Sequence, residues 1–198
     1  MVCAAMGCGL MGILKEPAAF VASLKLPAGF SVCELGNQMV SGTKPRSAEK
    51  FYRRLGCARY ESIDANGLGT VTADLNLPIT PLSLGAFDLV TDFGTGEHIF
   101  DQAQVWRTLH ELTKPGGYIA FDRPEQGYDK HCFYLTNECL YHDIAAANGY
   151  TILQFGKMPT PRGSLIRGVY QRPVMVKPFK APQQGRYQAS LRLPKAVA

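Results

Sequence analysis

The sequence predicts an α/β fold: a Rossmann-like, mostly parallel seven-stranded sheet with helices on both faces and a C-terminal antiparallel hairpin strand. Strand and helix patterns alternate along the chain, and residues 87–121 read as strand, helix and strand. Two further apolar runs joined by a short turn indicate the hairpin. With 198 residues, 46% of them apolar, the chain is expected to form one domain at 1–172.

The first third of the chain predicts an N-terminal helical segment at 1–28 and then three strands. Residues 2–14 are apolar like a signal peptide, and a targeting segment is the alternative there, but no Lys or Arg precedes them. The elements that follow are a strand at 30–35, a helix at 47–55 capped by Ser47, and strands at 59–63 and 70–73.

The middle of the chain carries the clearest pattern. Residues 87–93 form an apolar run that suits a strand covered on both faces. Asp101 is the expected N-cap of the next helix, and the run Pro115-Gly116-Gly117 ends that helix before a strand at 118–121. The last elements expected are a helix at 136–147, closed by Asn148-Gly149, and strands at 150–155 and 165–171 joined by a turn at 159–163.

Charge is segregated along the chain. The net charge is +5, yet from residue 144 onward there are nine basic residues and no Asp or Glu. Residues 173–198 therefore read as a basic tail, flexible or clamping. Such a tail is more often solvated than bound to phosphates, so nucleic acid is not the expected partner.

The cysteines and the lengths of the apolar runs indicate where in the cell the protein is expected. Six cysteines are scattered through a chain that is not a small loop-rich scaffold, so we expect a reduced, cytoplasmic protein without a disulfide framework. The apolar stretch near the N-terminus is too short to span a bilayer, and no membrane partner is expected. The sequence is compatible with a homo-oligomer.

The order of motifs within 87–121 resembles the class I S-adenosylmethionine (SAM)-dependent methyltransferase family. FDLV, EHI and HELTKPGGYIAF follow one another as the fourth strand, the Glu-His pair and the KPGG turn into the fifth strand do in that family. The resemblance implies SAM as cofactor and methyl transfer to a small-molecule or sugar-like acceptor. Two alternatives stay open. One is a non-catalytic binding or assembly module with this fold, and the other is a nucleic-acid methyltransferase, which the missing Asn/Asp-Pro-Pro-aromatic motif disfavours.

Acids and glycine at the ends of the predicted strands indicate one ligand site, because ligands of open α/β sheets bind outside the carboxyl ends of the strands. Gly36 allows close backbone approach, and Asp64 suits the hydroxyls of a ribose. The resemblance implies that Asp74 reads the adenine amino group and that Leu75 packs on its ring. The candidate cofactor-binding residues are Glu34, Gly36, Asn37, Asp64, Asp74, Leu75 and Asp92.

The family's first motif is only partly present. Glu34-Leu35-Gly36 matches its start, but Asn37-Gln38-Met39 stands where further glycines usually fall. Asn tolerates left-handed backbone geometry, so the turn can persist. The G-x-G-x-x-G of nicotinamide enzymes is absent from the sequence.

Two histidines are the candidate catalytic residues. His98 follows the fourth strand and His131 follows the fifth, so both are expected to face the acceptor as a base or as positioning residues. The competing interpretation of His98 is a hydrogen bond within its own loop. A metal site is not expected, since the histidines and cysteines at 131, 132, 139 and 142 match no compact zinc spacing.

Overall fold

A single mixed sheet lies at the centre of the protein. The computed structural model describes residues 15–40, 47–79 and 84–184. The strands are β1 (Ser31–Leu35), β2 (Arg59–Ile63), β3 (Phe87–Phe93), β4 (Thr113–Gln126), β5 (Thr151–Thr160) and β6 (Gly163–Gln171). They are ordered β2-β1-β3-β4-β6-β5, with β1 to β4 parallel and β6 antiparallel to both of its neighbours. The predicted α/β class and the terminal hairpin are confirmed.

Helices cover both faces of this sheet. They are α1 (Lys15–Ser23), α2 (Ala48–Arg54), a short 3-10 helix (Gly96–His98), α3 (Gln102–Leu112) and α4 (Glu138–Asn148). Within the described residues, none of these helices combines the length and the apolar character needed to cross a membrane. Residues 1–14, which make up half of the predicted N-terminal segment, lie outside the described part.

The predicted third strand is reduced to one bridge. Val71 pairs in parallel with Ile63, and the Val71 amide donates to the carbonyl of Ser62 at 2.9 Å. The pairing ends there because Asp74 is exposed and its carboxylate accepts from the Asn76 amide, which turns the chain away from the sheet. The sheet thus has six strands and a single bridge in place of the seventh strand.

Predicted helix ends agree closely with the structure. The Ser47 side chain accepts from the Lys50 amide, and the Asp101 side chain accepts from the Gln104 amide at 2.9 Å. Gly149 ends α4 with φ 68°, the left-handed conformation that glycine adopts readily. The strand expected at 118–121 is much longer, because β4 pairs with β3 on one side and β6 on the other.

Two apolar clusters fill the space between helices and sheet. On one face an aromatic group joins α3, α4 and the sheet, with the Phe121 and Tyr141 rings stacked at 4.8 Å and Trp106 against Phe121. On the other face, Tyr52 of α2 stacks on Tyr60 of β2. The two clusters fix the sheet between its helical layers, so the loops at the strand ends have defined positions.

The chain after β6 lies against α3 and α4. The His110 Nε2 is 2.8 Å from the Lys177 carbonyl oxygen. The Lys180 amide donates to the Asn148 Oδ1 at 2.8 Å, and the Asn148 Nδ2 donates back to the Lys180 carbonyl at 3.0 Å. Residues 173–184 of the predicted tail are therefore attached to the domain, and residues 185–198 lie outside the described part.

Candidate functional site

Three loops meet at the carboxyl ends of β1, β2 and β3. In the sheet, β2 lies on one side of β1 and β3 lies on the other side, so the strand order reverses between β1 and β3. Such a switch point leaves a crevice above the sheet, where open α/β folds bind ligands. Most of the predicted site residues lie around this point.

The loop after β1 is tied to the end of β2. The Gly36 amide donates to the Ile63 carbonyl at 2.8 Å, and the Asn37 amide donates to the Asp64 Oδ2 at 2.9 Å. Gly36 has φ 82°, and an added Cβ would overlap the Thr95 hydroxyl. Glycine is therefore required at this position by both conformation and space.

Glu34 supports this loop from below. Its side chain is fully buried, and its Oε2 accepts from the Tyr60 hydroxyl at 2.7 Å and from the Gln38 amide at 3.3 Å. Burial raises the pKa of Glu34 to about 8, although the Tyr60 and Gln38 hydrogen bonds oppose the shift. In this structure Glu34 orders the loop and does not face solvent.

Asp64 and Asp74 are both accessible to solvent. The Asp64 Oδ1 accepts from the Asn66 amide at 2.9 Å. The Asp74 Oδ1 accepts from the backbone and side-chain nitrogens of Asn76, whose own Oδ1 accepts from the Asp101 amide. Leu75, by contrast, is buried in the core. Asp74 thus ties the chain beyond β2 to the start of α3.

A hydrogen-bonded bridge spans the switch point. The Gln38 Nε2 donates to the Thr95 Oγ1 at 2.8 Å, and the Thr95 hydroxyl donates to the Leu35 carbonyl at 2.8 Å. The loops after β1 and β3 are therefore joined directly above Gly36. Sequence reasoning placed no role on Gln38 or Thr95.

Asp92 lies inside the protein and is paired with Arg123. Both side chains are fully buried and form an ion pair. The Asp92 Oδ1 also accepts from the amides of Thr95 and Gly96, at 3.2 and 2.9 Å, while the Arg123 Nη1 donates to the Gln102 Oε1 at 3.0 Å. An added Cβ on Gly96 would overlap the Arg123 guanidinium. The ion pair therefore shapes the loop after β3 from beneath.

Glu97 is a second buried acid in this loop. It is 0% exposed, and neither carboxylate oxygen has a hydrogen-bond partner among the described residues. Burial raises the pKa of Glu97 to about 8; Arg123 opposes that rise and Asp92 adds to it. Its backbone carbonyl accepts from the amides of Phe133 and Tyr134 at 3.2 and 3.3 Å. The loop after β4 is thereby held against the 3-10 helix.

The two predicted catalytic histidines lie side by side. The rings of His98 and His131 meet edge to face with centroids 4.8 Å apart, although 33 positions separate them in the chain. Burial lowers the pKa of both imidazoles; His131 adds to the effect at His98, and Arg162 adds to it at His131. The structure thus brings together two residues that the sequence placed in separate loops.

These histidines share a compact donor group with Glu97. One atom from each of Glu97, His98 and His131 lies within 4.8 Å of the others. Of the four residues weighed as metal ligands in the sequence, His131 belongs to this group. The signal that identifies the group is the Glu-His pair itself, but its third member becomes visible only through tertiary contacts.

Comparison with known proteins gives the wider context. Residues 71–157 match the sequence model of a methyltransferase domain family. The 1,6-didemethyltoxoflavin-N1-methyltransferase of Burkholderia thailandensis aligns with 15% identity and a TM-score of 0.57 over 80% of this chain and 77% of its own. The N-methyltransferase NodS of Bradyrhizobium japonicum aligns with 16% identity and a TM-score of 0.53, over 80% and 95%. The chain therefore has the class I methyltransferase fold.

Not every protein that shares this class I methyltransferase fold is named a methyltransferase. The [4+2]-cyclase SpnF aligns with 13% identity and a TM-score of 0.53 over 81% of both chains. The search of curated protein sequences found no match to this chain. The fold is therefore established, and the reaction is argued from the site.

Two exposed aromatic side chains, Phe100 and Phe133, each lie two residues beyond one of the histidines in the chain. Phe100 is 73% exposed and Phe133 is 69% exposed, and their rings meet edge to face at 6.3 Å. The Tyr134 hydroxyl donates to the Phe100 carbonyl at 2.9 Å. In this class I methyltransferase-fold protein, the two segments that carry His98 and His131 thus also carry an exposed aromatic pair, Phe100 and Phe133, which forms an apolar rim.

Proposed function

We propose that this protein is a SAM-dependent methyltransferase that acts on a small-molecule acceptor. The observation that carries the proposal is the position of Asp64, whose carboxylate lies beside the Asn37 amide and Gly36 at the switch point of the sheet. A carboxylate at the end of the second strand is the group that accepts ribose hydroxyls in nucleotide-binding α/β folds. The structurally similar 1,6-didemethyltoxoflavin-N1-methyltransferase was crystallised with 1,6-didemethyltoxoflavin and S-adenosylhomocysteine, the demethylated form of SAM.

The remaining cofactor contacts follow from the same edge of the sheet. In the proposal, Gly36 and Asn37 present backbone to the cofactor and Asp74 meets its adenine ring, while the buried Leu75 supports this part of the site from the core. Glu34 and Asp92 act indirectly, since both are buried and hydrogen-bond the loops that would contact the cofactor. This arrangement divides the predicted cofactor residues into a contacting set and a supporting set.

The acceptor is expected on the side of His98 and His131. Methyl transfer requires an acceptor atom held in line with the sulfonium, and positioning supplies much of the rate. In the proposal these two histidines orient the acceptor or take up the proton that it loses, and the exposed rings of Phe100 and Phe133 contact its apolar parts. Such a rim suits a small, partly apolar or sugar-like molecule.

A nucleic-acid acceptor fits less well. Arg167 is buried against Asp122 through two hydrogen bonds of 2.7 and 2.8 Å, and the buried Arg172 donates to the Thr113 carbonyl. Lys157 is paired with Glu125. Several cations of the basic C-terminal region thus neutralise or stabilise the protein itself, which leaves fewer of them for phosphates.

One observation favours a second candidate function, a non-catalytic module with this fold. The hydrogen-bonded Gln38–Thr95 bridge lies directly above Gly36, where the methionine part of SAM would approach the loop. Catalysis requires that SAM bind beyond this bridge or replace its hydrogen bonds. A protein that uses the fold only for assembly would keep the bridge intact.

Calorimetric titration separates the two functions. SAM and S-adenosylhomocysteine are titrated into the wild type, the Asp64→Asn variant and the Glu49→Gln variant, which removes an acid from the exposed surface of α2. The isosteric Asp64→Asn change keeps an acceptor for the Asn37 amide but removes the charge, and it should weaken binding by about tenfold or more. At ligand about a hundredfold above Kd, the wild type should gain about 2.7 kcal/mol of stability.

The outcomes are distinct. SAM binding that is weakened by Asp64→Asn and unchanged by Glu49→Gln supports the cofactor site, and release of S-adenosylhomocysteine with an acceptor panel then reports turnover. A wild type that binds neither compound overturns the methyltransferase proposal and leaves the non-catalytic module.

A further inference from the structure

We propose that Glu97, His98 and His131 bind one divalent transition-metal ion. Each residue offers one donor atom, and the three donors all lie within 4.8 Å of one another. In a tetrahedral site, two metal bonds of about 2.1 Å place a pair of donors about 3.4 Å apart, so a pair at the upper limit of 4.8 Å needs to approach by about 1.4 Å. Rotation of the partly exposed histidine side chains supplies such a change.

The buried carboxylate of Glu97 is the strongest sign of a ligand. It is 0% exposed, it lies in this donor group, and neither of its oxygens accepts a hydrogen bond from the described residues. Buried polar groups are normally hydrogen-bonded, and each exception calls for an explanation. A metal ion coordinated by one of these oxygens would provide the missing interaction.

The charges near Glu97 point the same way. Asp92 and Arg123 form a buried ion pair, so the positive charge of Arg123 is already matched by the charge of Asp92. When it is ionised, Glu97 adds a second negative charge that no other buried cation of the described residues contacts through an ion pair. A divalent ion bound by Glu97 and two neutral imidazoles balances this charge.

The donor types select the metal. Two imidazole nitrogens and one carboxylate oxygen are borderline ligands that suit zinc, cobalt, nickel or ferrous iron, whereas magnesium and calcium prefer sites made of oxygen. Three protein ligands leave further coordination positions for water or another oxygen ligand. If the proposed function holds, an oxygen of the acceptor would take such a position; binding of the metal itself does not depend on SAM.

The metal would also join two loops. Glu97 and His98 belong to the 3-10 helix after β3, and His131 belongs to the loop after β4. Only the backbone hydrogen bonds from Phe133 and Tyr134 to the Glu97 carbonyl are found between these segments in the described backbone. Coordination would add a direct link that holds the loop after β4 in place.

Metal titration of the full chain tests the proposal. Protein without a polyhistidine tag is stripped with a chelator and titrated with zinc by calorimetry and with cobalt by visible absorption, and bound metal is measured by elemental analysis. We expect one zinc ion per chain and a cobalt spectrum typical of nitrogen and oxygen ligands. Binding should also raise the melting temperature, because the ion binds the folded state.

Single-residue variants locate the ion. Glu97→Gln, His98→Asn and His131→Asn should each weaken zinc binding by about tenfold or more, since each removes a ligand. His142→Asn is the matched control, because His142 lies on α4 outside the donor group and should leave affinity unchanged. His131→Asn carries the test if the change at buried Glu97 prevents folding, which circular dichroism reveals.

Two results would overturn the proposal: substoichiometric zinc on folded wild-type protein, or equal affinity for His131→Asn and His142→Asn. SAM titration of the metal-free wild type is measured separately. Zinc binding without SAM binding rejects the proposed function and keeps the metal site. SAM binding without zinc binding rejects the metal site and keeps the proposed function.

Discussion

Loss of one partner from the buried ion pair between Asp92 and Arg123 is expected to destabilise the protein strongly. The perturbation is Arg123→Met, which keeps an apolar side chain of similar length and removes the guanidinium. Arg123 is 1% exposed and Asp92 is 0% exposed, so the change leaves the buried Asp92 carboxylate without its cation. It also removes the hydrogen bond from Arg123 to Gln102.

The magnitude follows from the burial of both groups. Two unit charges about 4 Å apart attract by about 4 kcal/mol at an effective dielectric constant near 20. Removal of one partner from a buried pair costs about 3–5 kcal/mol in proteins, in agreement with that value. We therefore expect Arg123→Met to lower the free energy of unfolding by about 3–5 kcal/mol.

A double-variant cycle in urea at neutral pH measures this effect. Asp92→Asn keeps an oxygen that accepts from the amides of Thr95 and Gly96. Combined with Arg123→Met it removes both charges, so the double variant should be more stable than Arg123→Met alone by at least about 1 kcal/mol. The surface control Glu49→Gln breaks an exposed pair with Arg53 and should cost about 0.5 kcal/mol or less.

The reasoning is refuted if Arg123→Met unfolds within about 1 kcal/mol of the wild type, as a surface pair would. It is also refuted if neutralising Asp92 gives no recovery in the double variant. Either result would mean that solvent reaches the pair.

Three further predictions concern the loops and the chain after β6. Gly36→Ala should destabilise the protein by at least about 1 kcal/mol more than Gly67→Ala. Both glycines have positive φ, but only the methyl group added at position 36 meets Thr95. Equal melting curves for the two variants would contradict the contact with Thr95. Because the pKa of Glu34 is raised from 4.5 to about 8, the native state keeps a proton that the unfolded state releases, and wild-type stability should fall as the pH rises between these values. Glu34→Gln should remove that component, so a stability difference between the two proteins that stays constant from about pH 5 to about pH 8 would disprove it. Asn148→Ala should accelerate hydrogen exchange at the Lys180 amide, whereas Asn137→Ala at the other end of α4 should not; equal exchange rates would show that Asn148 does not hold this segment.

Much of the fold was predictable because its signals are local. Asp101 directly precedes the amphipathic run of α3, and Gly149 directly follows the run of α4. The start of one helix and the end of another are thus marked by neighbouring residues. The extent of β4 was not predictable, because Pro115, Gly116 and Gly117 suggest a turn. These residues are in fact an irregularity within β4, since the register with β3 passes from Thr113 directly to Tyr118 and pairing with β6 begins at Tyr118. The added length comes from residues 122–126, whose pairing with β6 is a tertiary contact that the local sequence does not show.

The site was predictable in part. The positions of Asp64 and of the two histidines at strand ends followed from the rule that strands of a parallel sheet end at one edge. The Gln38–Thr95 bridge and the Asp92–Arg123 pair join residues far apart in the chain, which leave no periodic signal. Arg123 offered one clue, since an arginine inside the run YIAFDR needs a buried partner, but the sequence does not name that partner.

The order of strands in the sheet has a consequence for how the protein forms during synthesis. Of the strands in the described residues, β6 is the last to be made, yet it lies between β4 and β5. β5 therefore has no place in the sheet until the ribosome has released β6, and the newly made hairpin must join the exposed edge of β4 as a unit. A released chain truncated within the turn at residues 161–162 would present both β4 and β5 with unpaired backbone groups, which favours aggregation.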